Sequence, residues 1–248
     1  MRQNNALKGR PMTDHIVKSF DAELNELRQF IVEMGGIAEK MLADSVQALV
    51  RSDVALAQRV IVADARLDNL QRELEERGIL VIAKRQPMAV DLREIVSAIR
   101  LAGDLERIGD LAKNVAKRVL AVQGHMQPPK VVIGLQHMAE MVAEQLNDVL
   151  DAYTGGDTER ALDVWRRDDS TDALYTSLFR ELLTYMMEDP RSITFCTHLL
   201  FCAKNIERIG DHTTNIAETI HYLVTGTPLT AERPKSDTSS FSSVYVAS

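Results

Sequence analysis

An internal repeat constrains this chain more than any other feature. Glu106-Arg107-Ile108-Gly109-Asp110 recurs as Glu207-Arg208-Ile209-Gly210-Asp211, displaced by 101 positions. Asn114 with Asn215, Ala102 with Ala203 and Ala116 with Ala217 keep that displacement. Upstream the displacement is 104, pairing Met34 with Met138, Leu42 with Leu146, Asp44 with Asp148 and Asp53 with Asp157. It continues through Asp64 with Asp168, Asp68 with Asp172, Leu70 with Leu174 and Leu74 with Leu178. The register changes near Pro87 and Pro190, where a loop is expected. Self-similarity of this kind marks two copies of a unit of about 100 residues. The expected layout is a flexible N-terminus over 1–13, a first repeat over 14–125, a second over 126–225 and a disordered tail over 226–248. The tail reads so because it holds Pro228, Pro234 and many serines.

Each copy reads as three helices. Leu24, Leu27, Ile31, Met34, Ile37 and Met41 recur at helical spacing, not at the alternation of a strand. Ser52-Asp53 is a stop followed by a cap, and Asp53 suits the N-cap of a second helix carrying Leu56, Val60, Leu67, Leu70 and Leu74. A third helix is expected from Pro87, as an N1 residue, to about Gly124. The second copy repeats this with helix one over about Pro129 to Tyr153, then Gly155-Gly156-Asp157 as turn and cap. Helix two is expected to run to Met187, and helix three from Asp189-Pro190 to Thr225. Helices this long joined by short turns make antiparallel bundles. The expected fold is all-α, with two tandem three-helix bundles.

Composition narrows the function. Gly 12 and Pro 7 are few for 248 residues, against a turn-rich sandwich or barrel. A net charge of -7 excludes the basic surface that bulk nucleic-acid binding needs. Cys196 and Cys202 are too few for a disulfide framework and read as small core residues in a reducing compartment. No apolar run exceeds the length of Ile79-Leu80-Val81-Ile82-Ala83, far short of the ~20 residues of a membrane span. The expected location is the cytoplasm.

The chemistry sits in acid pairs. Glu106 with Asp110, Glu207 with Asp211, Asp64 with Asp68 and Asp168 with Asp172 are each spaced i,i+4 on one helix face. Such like-charge pairs destabilise a helix by ~0.2–0.5 kcal/mol each. Apolar neighbours flank them, among them Val60, Leu67, Ala102 and Leu105. Carboxylates in a partly apolar seam must take up protons, pair with a base or bind a cation. Gly109 and Gly210 stand mid-helix, where glycine costs ~1 kcal/mol against alanine, which points to close approach of another helix or a ligand.

Two acid pairs on adjacent helices suit Fe, Mn, Mg, Ca or Zn. Asn114 and Asn215 are candidate supporting residues. Pairing with Arg107 and Arg208, or plain solvation of an acidic face, are the rival readings. Glu218-x-x-His221 has di-iron spacing, but Lys117 and Leu120 stand at the equivalent places of the first copy. There is no G-x-x-x-x-G-K-[ST], G-x-G-x-x-G or G-x-S-x-G motif and no obvious nucleophile–base pair.

Two three-helix units, each with D-x-x-x-D and then E-R-I-G-D, resemble the PhoU family of phosphate-transport regulators. Asp91-Leu92-Arg93 ahead of the first E-R-I-G-D also fits, whereas the second copy reads Arg191-Ser192-Ile193. The resemblance spans about Asp14 to Thr225. It implies two similar bundles, a homodimer and multinuclear clusters of iron or zinc, with Mn or Mg as further candidates. The implied metal ligands are Asp64, Asp68, Glu106 and Asp110 in one repeat, and Asp168, Asp172, Glu207 and Asp211 in the other. It also implies a non-enzyme that negatively controls high-affinity phosphate uptake and starvation signalling. Its implied partners are the phosphate transporter's ATPase subunit and a phosphate-sensor histidine kinase, and it reaches the membrane only through them. The alternative is a helical-bundle enzyme, an oxidase or hydrolase using a carboxylate-held metal.

Overall fold

A computed structural model describes residues 12–123 and 129–230. The described elements are helical: α1 (Met12–Arg51), α2 (Val54–Arg85), α3 (Val90–Ala121), α4 (Pro129–Gly155), α5 (Thr158–Arg166), α6 (Asp168–Glu188) and α7 (Ile193–Thr225), with a 3-10 turn at Pro190–Ser192. The expected residues 1–11, 124–128 and 231–248 of the termini and repeat junction lie outside the described residues.

Caps expected from sequence set the helix starts. Asp53 accepts a hydrogen bond from the Leu56 amide at 2.9 Å. Asp157, its repeat mate, accepts from the Glu159 and Arg160 amides, both at 3.1 Å. Each satisfies amides that a helix start leaves unpaired. Pro87 is a correction: α3 begins at Val90, not at a proline N1. Gln86 closes α2 at φ 50 and Ala89 stands at φ 50, so the proline lies inside a turn. Pro190 does sit at N1, but of the 3-10 turn that leads into α7.

The third helix of each repeat carries the core. α3 packs on α1 and α2, α7 packs on α4, α5 and α6, and α3 and α7 pack on each other. Across that central contact His212 Nδ1 lies 2.9 Å from Asp104 Oδ1, and Arg118 stacks 4.4 Å above Phe201. Arg93 of the Asp-Leu-Arg segment reaches the end of α7. It lies 5.9 Å above Tyr222, and a Cβ on Gly226 would fall 2.0 Å from its Nη1. A cation there complements the carbonyl end of the helix, so Arg93 ties the repeats together. Gly226 is at φ 78, closing α7 in the left-handed region.

The second helix of repeat two differs from expectation, because it breaks at Arg167 into α5 and α6. The break leaves a carbonyl for another partner. Gln145 of α4, itself buried, donates its Nε2 to the Arg167 carbonyl at 3.2 Å. The equivalent residues of the first repeat are Met41 and Ala63, and α2 runs through without interruption.

Candidate functional site

Gly109 lies where two helices approach too closely for a side chain, whereas at Gly210 a Cβ would make ordinary contact. A Cβ on Gly109 would meet Leu67 Cδ2 at 2.4 Å, and one on Gly210 would meet Thr171 Cγ2 at 3.4 Å. Leu67 and Thr171 are repeat mates, so each E-R-I-G-D glycine is where α3 meets α2 or α7 meets α6. The expected close approach is helix against helix. The acids of each pair of helices then line one seam, α2–α3 in the first repeat and α6–α7 in the second.

In the first seam Asp64 is buried, while Asp68, Glu106 and Asp110 are half-buried. Burial pushes the Asp64 carboxyl above its ordinary range, opposed by Lys113 and reinforced by the Asp68 and Asp110 charges. Burial also raises Glu106, helped by the charges of Asp110 and Asp68. The four acids therefore feel one another. Lys113 of α3 is their counter-charge: its ammonium donates to Asp64 Oδ2 and, at 2.5 Å, to Asp110 Oδ1. Burial works against that charge, but the two carboxylates outweigh it and raise the lysine above its ordinary value.

The second seam is drier. Asp168, Asp172 and Glu207 are all buried, and Asp211 is half-buried. Burial raises Glu207, opposed by Lys204 and reinforced by Asp211 and Asp172. Lys204 Nζ donates to Glu207 Oε1 at 2.8 Å and stands 4.8 Å over the Tyr175 ring. Thr214 Oγ1 lies 3.1 Å from Asp168 Oδ1 and equally far from the Gly210 carbonyl.

Among the described residues no three His, Cys, Asp or Glu side chains stand close enough to hold a metal ion as they are turned. Two observations nonetheless fit a cation. Asp64 Oδ1 and Glu207 Oε2 are buried and find no hydrogen-bond partner among the described residues. A buried carboxylate oxygen left in this way is costly, a cost relieved by taking up a proton or by gaining a cation. The donor set is all oxygen, suited to hard or borderline ions. Asp64, Asp68, Glu106 and Asp110 line the first seam, and Asp168, Asp172, Glu207 and Asp211 the second.

The rival and supporting residues fall out differently. Arg107 is largely exposed and lies 3.7 Å from both Glu106 and Asp110 of its own helix, so it does not brace a neighbouring helix. Asn114 is exposed and Asn215 half-buried. Glu218 accepts from the Trp165 indole at 2.9 Å. Lys113, Lys204 and Thr214 are the residues that sequence reasoning missed. Lys113 stands one turn beyond Asp110, and that i,i+3 spacing was the available signal.

The described clefts open elsewhere. One of 490 Å³ lies between α1 and α4 beside Leu42, Val46 and Ala139. Another lies between α1 and α2 beside Met41, Val60 and Arg66. None of the eight acids lines either cleft.

Comparison with known proteins agrees with this architecture. The model of the PhoU domain matches residues 31–119 and again 135–220. A Rhizobium meliloti phosphate-specific transport system accessory protein PhoU homolog is 62% identical over 91% of this chain and 95% of its own length. A Caulobacter vibrioides protein of the same description is 52% identical over 91% of this chain and 98% of its own length. The crystal structure of PhoU from Pseudomonas aeruginosa superposes with TM-score 0.81 at 40% identity, covering 84% of this chain and 100% of that one. The Streptococcus pneumoniae phosphate transport system regulatory protein PhoU gives 0.79 at 28% identity, over 86% of this chain and 100% of that one. With the domain matched in both repeats, and relatives of this identity aligned along nearly their whole length, the chain belongs to the PhoU family.

Proposed function

We propose that this protein is an accessory regulator of phosphate uptake. In this reading it holds the high-affinity phosphate transporter and starvation signalling in check when phosphate is plentiful. It acts by binding, not by catalysis. Its contacts are the transporter's ATPase subunit and the phosphate-sensor histidine kinase, made in the cytoplasm by a homodimer. The observation that carries this reading is the 62% identity, over nearly the full length of both chains, to a protein named for the phosphate-specific transport system. No helix among the described residues is long and apolar enough to cross a membrane, which is compatible with peripheral attachment through partners. The carboxylate seams would hold metal as a structural element of that regulator. The unpartnered Asp64 Oδ1 and Glu207 Oε2 support this part of the reading.

Deletion tests it. In high phosphate, cells lacking the protein should take up phosphate without restraint and express starvation genes, and the full chain should restore control. Unchanged uptake and expression after deletion would reject the reading. Sedimentation of the purified chain at the mass of two copies tests the dimer.

A further inference from the structure

Twelve large apolar side chains stand exposed among the described residues, and five of them belong to one corner of the fold. Ile79 and Leu80 lie in the last two turns of α2, Met88 stands in the turn that follows, and Val90 and Leu92 open α3. Met88 is 81% exposed and Val90 59%. Exposed apolar residues scattered singly are ordinary, but a cluster marks a surface that something covers. The turn is also strained. Gln86 and Ala89, neither of them a glycine, both hold φ at 50, in the left-handed region. Pro87 and Met88 are held between them.

The chain beyond α7 leaves beside this corner. Arg93, the i,i+3 neighbour of Val90 on α3, packs against Gly226, where a Cβ would fall 2.0 Å from its Nη1. Leu229 packs on the core, and the described chain stops at Thr230. Residues 231–240 are polar apart from one alanine and one proline. Phe241, Val244, Tyr245 and Val246 then follow within six residues. The eleven residues from Thr230 to Phe241 average about 17–20 Å end to end as a flexible chain and reach about 36–40 Å when extended. The corner begins one helical turn from Arg93, so it falls within that reach. The N-terminal residues 1–11 offer little competition, since their large apolar side chains are Met1 and Leu7 alone.

We propose that residues 241–246 dock on the α2–α3 corner of their own chain, with Phe241, Val244, Tyr245 and Val246 covering Met88 and Val90 and with residues 231–240 as the spacer. This goes beyond the regulatory reading and does not depend on it. The tether favours this occupant over a second copy of the chain. A short flexible spacer presents the segment at an effective concentration in the millimolar range, and a second copy would have to match that to compete. Aromatic side chains also bury a large apolar area, which suits so short a segment. A partner that docks at the corner must first displace the segment.

The test is photo-crosslinking in the full chain carrying Phe241→benzoylphenylalanine. Chains of natural and of heavy-nitrogen isotope content are mixed in equal amounts, and the crosslinked peptides are read by mass spectrometry. Crosslinks within one chain, to residues 79–92, are expected. Met88→Ser/Val90→Ser should lower their yield by about threefold or more, because losing two apolar anchors weakens docking by roughly tenfold. Tyr245→Ser/Val246→Ser serves in the same role if the corner variant loses helical circular dichroism. Crosslinks scattered over the surface, a preference for another face, or no crosslinks would each overturn the proposal. Links between isotopically different chains would overturn it by assigning the corner to a second copy. A corner crosslink indifferent to both pairs of substitutions would overturn it too.

Discussion

At the scale of single residues, the mid-helix glycines separate two uses of the same amino acid. Gly103 has nothing within 4 Å of the place where a Cβ would stand, whereas at Gly109 that place is 2.4 Å from Leu67 Cδ2. Leu67 is fully buried, so any shift of its side chain must be taken up by the surrounding core. Gly103→Ala should therefore stabilise by about 1 kcal/mol through helix propensity alone. Gly109→Ala should destabilise by about 1–2 kcal/mol, because overpacking outweighs the same propensity gain. Urea denaturation of the two variants checks both signs. The cost of Gly109 and Gly210 could be read from sequence, since a repeated mid-helix glycine needs a reason. Lys113 could not be read in the same way. Comparing the repeats singles out what both copies keep, and Lys113 is where they differ. Its partner Asp64 lies on another helix, 49 positions away, and only packing brings the two together.

At the scale of elements, the helices were legible because their apolar residues recur with helical spacing and the starts of α2 and α5 carry aspartate caps. The break at Arg167 was not. At the break a residue on another helix, Gln145, donates its buried amide to the Arg167 carbonyl, which the Ser170 amide also reaches. Gln145→Leu should cost about 0.5–1.5 kcal/mol, the loss of one hydrogen bond, because the Ser170 amide still donates to that carbonyl at 3.3 Å. It should also shift the emission of Trp165, the sole tryptophan, which sits in α5 just ahead of the break. The same corner carries an ion-pair group. Burial alone would raise the Asp148 carboxyl, but hydrogen bonds from Arg167 and Arg160 outweigh it and hold the group below its ordinary range. A depressed carboxylate contributes stability above its unfolded value, about 3.9, and that contribution is lost as pH falls through the folded value. Asp148→Asn should thus cost about 1 kcal/mol at neutral pH. In strong acid the variant and the parent should converge. Denaturation midpoints followed from pH 7 downward test this, and a constant gap at all pH values would refute it.

At the scale of the whole molecule, the two repeats share one core. α3 and α7 pack along each other, Arg93 reaches the end of α7, and His212 meets Asp104 across the contact. The repeats should unfold as one unit, so loss of Trp165 emission and loss of helical circular dichroism should trace the same denaturation curve. Two separated transitions would show independent bundles. The duplication itself was legible from E-R-I-G-D alone, but the joining of its halves was not, since no motif encodes a helix–helix contact between repeats. What the duplication produces is two carboxylate seams, each holding a buried carboxylate oxygen without a hydrogen-bond partner among the described residues. The central claim is that these seams hold metal. Elemental analysis of the full chain, purified without chelator, tests it most directly. The unsubstituted protein should carry bound transition metal. The fourfold variant Asp64→Asn/Glu106→Gln/Asp168→Asn/Glu207→Gln should lose it while keeping its helical circular dichroism. Metal-free parent protein, or equal metal content in the two proteins, would contradict the account.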